Sequence, residues 1–364
     1  MRADRRVQRF GRFRKMTGLV AAASAVVLVL GACGGDDGDE TPAPGGGTTA
    51  AASEIKVGLA YDIGGRGDKS FNDSAAEGLD KASDEFGVEA TELEAAEGET
   101  DAQKEERLRQ LADAGNNPII AVGFAYATAL AAVAPEYPDV SFAIIDDATL
   151  VDEPNVASLT FAEEQGSFLV GAIAAQASKT NNIGFVGGVE TPLIHKFQAG
   201  YEAGAKAVKP DIQIQVTYLT QPPDFTGFND PAKGQTAAAG MYDSGADVVY
   251  HAAGGSGGGV FTAAKAGGKL AIGVDADQYL GAAPDVQPVI LTSMLKEVDV
   301  AVYDMIKSSV DGKPLTGAKV YDLEAGGVGF STSNSIVAPF TATAEDYEKK
   351  IISGEIVVPT EVGG

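Results

Sequence analysis

Cysteine is nearly absent from this 364-residue chain: Cys33 is the only one, so no disulfide forms within the molecule and its stability comes from packing. Histidine is scarce as well. His195 and His251 stand far apart, without the spacing of metal ligands. There is no GxSxG or HExxH stretch, and with Cys33 blocked no free thiol remains as a nucleophile. Asp146 and Asp147 form a carboxylate pair, but adjacent residues after a strand point opposite ways and are poorly placed to share acid–base work. These gaps argue against an enzyme, and no cofactor is expected. Positive charge is the next shortage: 27 Lys plus Arg face 51 Asp plus Glu, a formal charge of −24. Without residues 1–32, 20 basic residues face 50 acidic ones, a charge of −30. A field of that sign repels nucleic acid and anionic membrane. Beyond residue 32 no apolar run is long enough to cross a bilayer.

The basic residues that do exist are concentrated at one end. Arg2, Arg5, Arg6, Arg9, Arg12, Arg14 and Lys15 precede an uncharged run from Met16 to Ala32, which closes on Leu30-Gly31-Ala32-Cys33. A basic start, an apolar middle and small residues before a cut is the layout of an export signal. The last four residues resemble a bacterial lipobox, which predicts cleavage after residue 32 and lipidation of Cys33. Multiple acyl chains on one residue anchor a protein firmly where one chain does not. Gly34 to Ser53 (GGDDGDETPAPGGGTTAAAS) has no large apolar residue and reads as a flexible tether.

From residue 54 the chain alternates between two periods. Strands are predicted at 55–60, 118–124, 140–146, 182–186, 212–219, 247–251 and 270–274. Helices are predicted at 74–86, 101–114, 195–208, 259–266 and 298–309, with another closing at 241–244. Continuous β-branched strands alternating with helices imply an α/β fold with a parallel sheet covered on both faces. Ligands in such folds sit beyond the carboxyl ends of the strands. At those ends stand Asp62, Phe71 and Asn72, then Asp146, then Gly254 and Gly255 after His251, then Asp275. A carboxylate only accepts hydrogen bonds, so it suits a ligand rich in O–H and N–H donors. An aromatic face suits a planar ring. A sugar joined to a heterocycle meets both demands, although each Asp could instead cap the next helix and Phe71 could belong to the core.

Several of these stretches carry a resemblance. GLAYDIGGRGDKSFNDSAAEGL (58–79), FAIIDD (142–147), FAEEQGSFLVGAIAA (161–175), YDSGADVVYHAAGGSGGGVF (242–261), GVDADQ (273–278) and TSMLKEVDVAVY (292–303) resemble the basic membrane lipoprotein family, the purine-nucleoside-receptor-like binding lipoproteins of ABC importers. The resemblance implies a type I periplasmic-binding fold, two doubly wound α/β lobes joined by hinge crossovers. It implies a first lobe of 54–158 plus 278–325 and a second of 159–277 plus 326–364. Carried over by position, Phe71 stacks on a base and Asn72 bonds its edge. Asp62 and Asp146 share that cleft, and Asp275 accepts from ribose hydroxyls with Lys296 nearby. The Gly254-Gly255 turn lets backbone approach the sugar. For the second stacking face His251, Tyr250 and Phe225 are candidates. The implied ligand is a neutral nucleoside, and the implied partners are an ABC permease and ATPase serving a monomeric receptor held to the membrane only by its lipid. The alternative is a sensory lipoprotein using the same cleft.

Overall fold

A computed structural model describes residues 55–363. The predicted signal at 1–32, Cys33 and the tether at 33–53 lie outside them. The first strands and helices are β1 (Lys56–Ala60), α1 (Phe71–Phe86), β2 (Glu89–Leu93), α2 (Asp101–Asp113), β3 (Ile119–Ala121), α3 (Ala127–Val133), β4 (Phe142–Ile145) and β5 (Val156–Phe161). A second series follows: α4 (Glu163–Ala177), β6 (Asn182–Val189), α5 (Pro192–Val208), β7 (Gln213–Thr220), α6 (Pro231–Asp243), β8 (Val248–Ala252), α7 (Gly257–Gly267), β9 (Leu270–Asp275), α8 (Gln278–Gly281) and β10 (Ile290–Lys296). The chain ends with α9 (Val298–Val310), β11 (Gly317–Tyr321), β12 (Val328–Phe330) and α10 (Thr341–Ile352).

The strands form two six-stranded sheets, in the orders β11-β5-β4-β3-β1-β2 and β12-β10-β9-β8-β6-β7. All pairs are parallel except β10 with β12. This is the bilobed type I architecture. The chain passes between the sheets three times: from β5 into α4, from β10 into α9, and from β11 into β12. The second passage corrects a predicted boundary. Residues 278–296 were expected in the first lobe, but β10 pairs with β9, Met294 opposite Val274, and so remains in the second sheet. The crossover falls at 296–298, where Glu297 N donates to Gly327 O.

Continuous apolar strands bury both sides of each sheet: Val57, Leu59 and Ala60 in β1, and Val248, Val249 and Tyr250 in β8, are buried without residue. Helices pack unusually close where glycine removes a side chain. A Cβ at Gly204 of α5 would lie 1.9 Å from Phe168 O of α4, and one at Gly171 of α4 would lie 2.2 Å from Tyr201 O. The same device joins α6 to α7, where a Cβ at Gly259 would lie 1.8 Å from Pro231 O. Shape fit of this kind stabilises through dispersion and fixes the helix register.

Candidate functional site

The carboxyl ends of both sheets face one cleft. Asp62 follows β1, Gly123 and Phe124 follow β3, Asp146 follows β4, Gly254 follows β8, Asp275 closes β9 and Lys296 closes β10; all line it. Asp146 and Asp275 both adopt left-handed backbone, with φ of 69° and 63°. Asp tolerates that conformation better than most residues, so the strand can turn sharply and leave its carboxylate in the cleft.

The 62–73 loop braces itself. Asp68 accepts from Ser70 N (2.9 Å), Asn72 N (2.9 Å) and Asp73 N (3.1 Å), which caps α1 in place of a side-chain N-cap at Ser70. Asn72 lines the cleft, yet its amide is committed to the loop: Oδ1 accepts from Asp62 N at 3.1 Å, and Nδ2 donates to Asp68 Oδ2 at 3.0 Å and to Ile63 O at 3.3 Å. The loop thus presents Phe71, half-buried at the first turn of α1, to the cleft.

Lys296, 1% exposed, is the only cation lining the cleft among the described residues. Its Nζ donates to Asp146 Oδ2 at 2.6 Å and lies 3.2 Å from Glu163 Oε1. Around that ammonium stand the rings of Phe161 (5.0 Å), Phe71 (5.1 Å) and Phe197 (5.5 Å), close enough for cation–π attraction. Burial lowers an amine's pKa, but the Asp146, Glu163 and Asp275 carboxylates outweigh it and hold Lys296 above its ordinary value. Burial is the main reason that Asp62, Asp146 and Asp275 are each pushed up to about 6. Lys296 moderates the effect at Asp146 and Asp275. Asp146 Oδ1 is buried and has no hydrogen-bond partner among the described residues.

Besides Lys296 to Asp146, two hydrogen bonds latch the lobes across the cleft: Ser70 Oγ to Asp275 Oδ2 at 2.5 Å, and Gln278 Nε2 to Lys69 O at 2.8 Å. At the mouth, Phe124 of the first lobe meets Phe225 of the second edge to face, with ring centroids 6.0 Å apart.

Of the residues singled out from sequence, Asp62, Phe71, Asn72, Asp146, Gly254, Asp275 and Lys296 line this cleft together. Gly255 faces an adjoining groove with Arg66 and Lys69. His251 is a correction. It is fully buried on the opposite side of β8, edge-on to Phe261 at 5.2 Å and beneath Gly257, where a Cβ would strike its ring. Alternation along the strand sends Val249 to that side, and Tyr250 into the core with Phe185 and Tyr201. Neither ring nitrogen of His251 makes a well-formed hydrogen bond among the described residues, and burial, opposed only by the nearby Gln278 side chain, drops its pKa to about 4. The aromatics that do line the cleft include Phe124, Phe197 and Phe228, none of them picked out from sequence. Only the phenylalanine content of FTGF (225–228) hinted at the last.

Residues 55–361 match the family model described as ABC transporter substrate-binding protein PnrA-like. Among curated relatives, the "CD4+ T-cell-stimulating antigen" of Listeria monocytogenes is 38% identical over 330 residues, covering 85% of this chain and 89% of that protein. The "ABC transporter nucleoside-binding protein BmpA" of Lactococcus lactis is 37% identical over 324 residues, covering 85% and 90%. An ABC transporter solute-binding protein from Aeropyrum pernix superposes with a TM-score of 0.73 at 32% identity, covering 85% of this chain and 94% of that one.

Proposed function

This chain belongs to the PnrA-like family of ABC transporter substrate-binding proteins, and from that premise we propose that its interlobe cleft binds a neutral nucleoside, a purine nucleoside above all. It is a receptor for import and not an enzyme. An extracytoplasmic, membrane-associated location and partnership with an ABC permease and ATPase follow from the family; attachment through a lipid on Cys33 and a monomeric body are part of our proposal.

The observation that carries the nucleoside reading is the one-sided polarity of the cleft. Asp62, Asp68, Asp146 and Asp275 line it against Lys296, the single cation there among the described residues, whose ammonium is already shared between Asp146 and Glu163. Donors on the ligand find acceptors there, while a phosphate would meet carboxylates and no uncommitted cation. Phe71 and Phe228 enter from the two lobes and supply apolar faces for a planar base. In this reading Asp146 and Asp62 meet the base, Asp275 meets the ribose hydroxyls, and Gly254 lets backbone approach the sugar. Asn72 acts by shaping the loop. Phe228 takes the second stacking role. The curated relative named as nucleoside-binding supports the same ligand class. A thermal-shift panel of nucleosides, free bases, riboflavin and sugars tests it, because a ligand that binds only the folded state raises the melting temperature with its occupancy. Purine nucleosides should give the largest shifts; a shift confined to sugars or riboflavin would overturn the assignment.

A further inference from the structure

The ammonium in the cleft is held from behind by a residue that does not line it. Glu163 opens α4 at the first crossover and is fully buried. Its Oε1 lies 3.2 Å from Lys296 Nζ, and its Oε2 accepts from Lys196 Nζ of α5 at 3.1 Å. Lys296 donates in turn to Asp146 Oδ2. Charges therefore alternate along Asp146, Lys296, Glu163 and Lys196, a line that starts in the first lobe, passes the hinge and ends in the second, buried along its first three members and partly exposed at Lys196. A carboxylate with sole use of an ammonium is a weak acceptor for anything else, because the cation draws charge from both oxygens. Here the ammonium is divided.

We propose that Glu163 is a positioning residue for ligand recognition: by sharing Lys296 it keeps the unpaired Oδ1 of Asp146 basic enough to accept from the ligand, and it fixes the ammonium against the Phe71 ring. This inference rests on the reading of the cleft as a nucleoside site. The electrostatics agree with it. Glu163 raises the pKa of Asp146, whereas Lys296 and Lys196 lower it. The other charged groups near the line are Asp62 and Asp275, each repelled by Asp146, and Glu164, beside Glu163.

The test uses two variants that push Asp146 in opposite directions. Titration of the Asp146 carboxyl by carbon NMR, without added nucleoside, should move down by roughly one pH unit in Glu163→Gln and up in Lys196→Met, whose side chain is a third exposed and tolerant of change. Calorimetry with inosine at pH 7.5 should then show roughly three- to tenfold weaker binding for Glu163→Gln, with the acid limb of its pH profile displaced to lower pH. A purely structural Glu163 would lower the melting temperature without moving either titration. Identical Asp146 titrations in the three proteins, or displaced titrations with unchanged inosine affinity, would overturn the proposal. Failure of the unaltered protein to bind inosine or any other nucleoside is a different result, which removes the nucleoside reading itself.

Discussion

Asp275 stands where β9 leaves the second sheet, 7% exposed, in left-handed backbone and already accepting from Ser70 of the other lobe. Its removal takes a charged acceptor from the ligand and a latch from the lobes. Asp275→Ala should weaken nucleoside binding by about 1.5–3 kcal/mol, roughly ten- to a hundredfold, with the fold intact by circular dichroism. Protonation should act in the same direction. Asp62, Asp146 and Asp275 titrate near 6 in the folded protein against an ordinary value of 3.8. Their folded pKa is raised, so their contribution to stability is full below about 4 and is lost as the pH climbs through about 6. Lowering the pH from 7.5 to 5.5 should therefore raise the melting temperature of the protein without ligand while it weakens nucleoside affinity. Parallel thermal and calorimetric series across that interval check both signs. His251 gives the opposite case. Buried without a well-formed hydrogen bond among the described residues, it lies away from the cleft, so His251→Leu should leave affinity unchanged and cost little stability or gain about 1 kcal/mol. The cleft aspartates were legible in sequence because each follows a strand that reads clearly. His251 misled because its place in sequence, just before the glycine turn, says nothing about which face of β8 it occupies.

Elements were legible in proportion to how much their pattern departs from uniformity. The predicted parallel strands appear within a few residues of their expected limits; β6 runs longer, to Val189. No strand was predicted at β5, β10, β11 or β12, nor at β2, an edge strand (EATEL) whose residues are almost all exposed and which offers no apolar alternation. α4 escaped for the reverse reason. Eleven of its 15 residues are buried, because it is enclosed among α5, α10 and the second sheet, and it carries no amphipathic stripe to read. Its sequence, EEQGSFLVGAIAAQA, nonetheless records the packing: Gly171 lets the backbone of α5 approach, and Gly200 and Gly204 of α5 return the contact. Gly204→Ala would drive a methyl into Phe168 O and should cost about 1–3 kcal/mol in chemical denaturation. Gly240→Ala in α6, where nothing lies within 4 Å, should instead stabilise by about 0.5–1 kcal/mol.

At the scale of the whole molecule, two sheets of like construction turn their carboxyl ends toward each other, and three passages of chain join them. Sequence alone showed repeated β-α units but not where the chain changes lobe, since a crossover is fixed by which strand pairs with which. β10 belongs to no predicted strand, and only its pairing, Met294 opposite Val274, places it in the second sheet. The same arrangement explains why a cleft of four carboxylates and one committed ammonium persists at the centre of a chain with a formal charge of −24: each charged group there is braced by the loop, the opposite lobe or the hinge. The central claim, that this cleft receives a neutral nucleoside, is tested most directly by calorimetric titration at pH 7.5 with guanosine, inosine and guanosine monophosphate side by side. Saturable one-to-one binding of the two nucleosides, with the monophosphate at least about a hundredfold weaker, is the predicted result. Monophosphate binding as tight as guanosine, or no binding by either nucleoside, would contradict it.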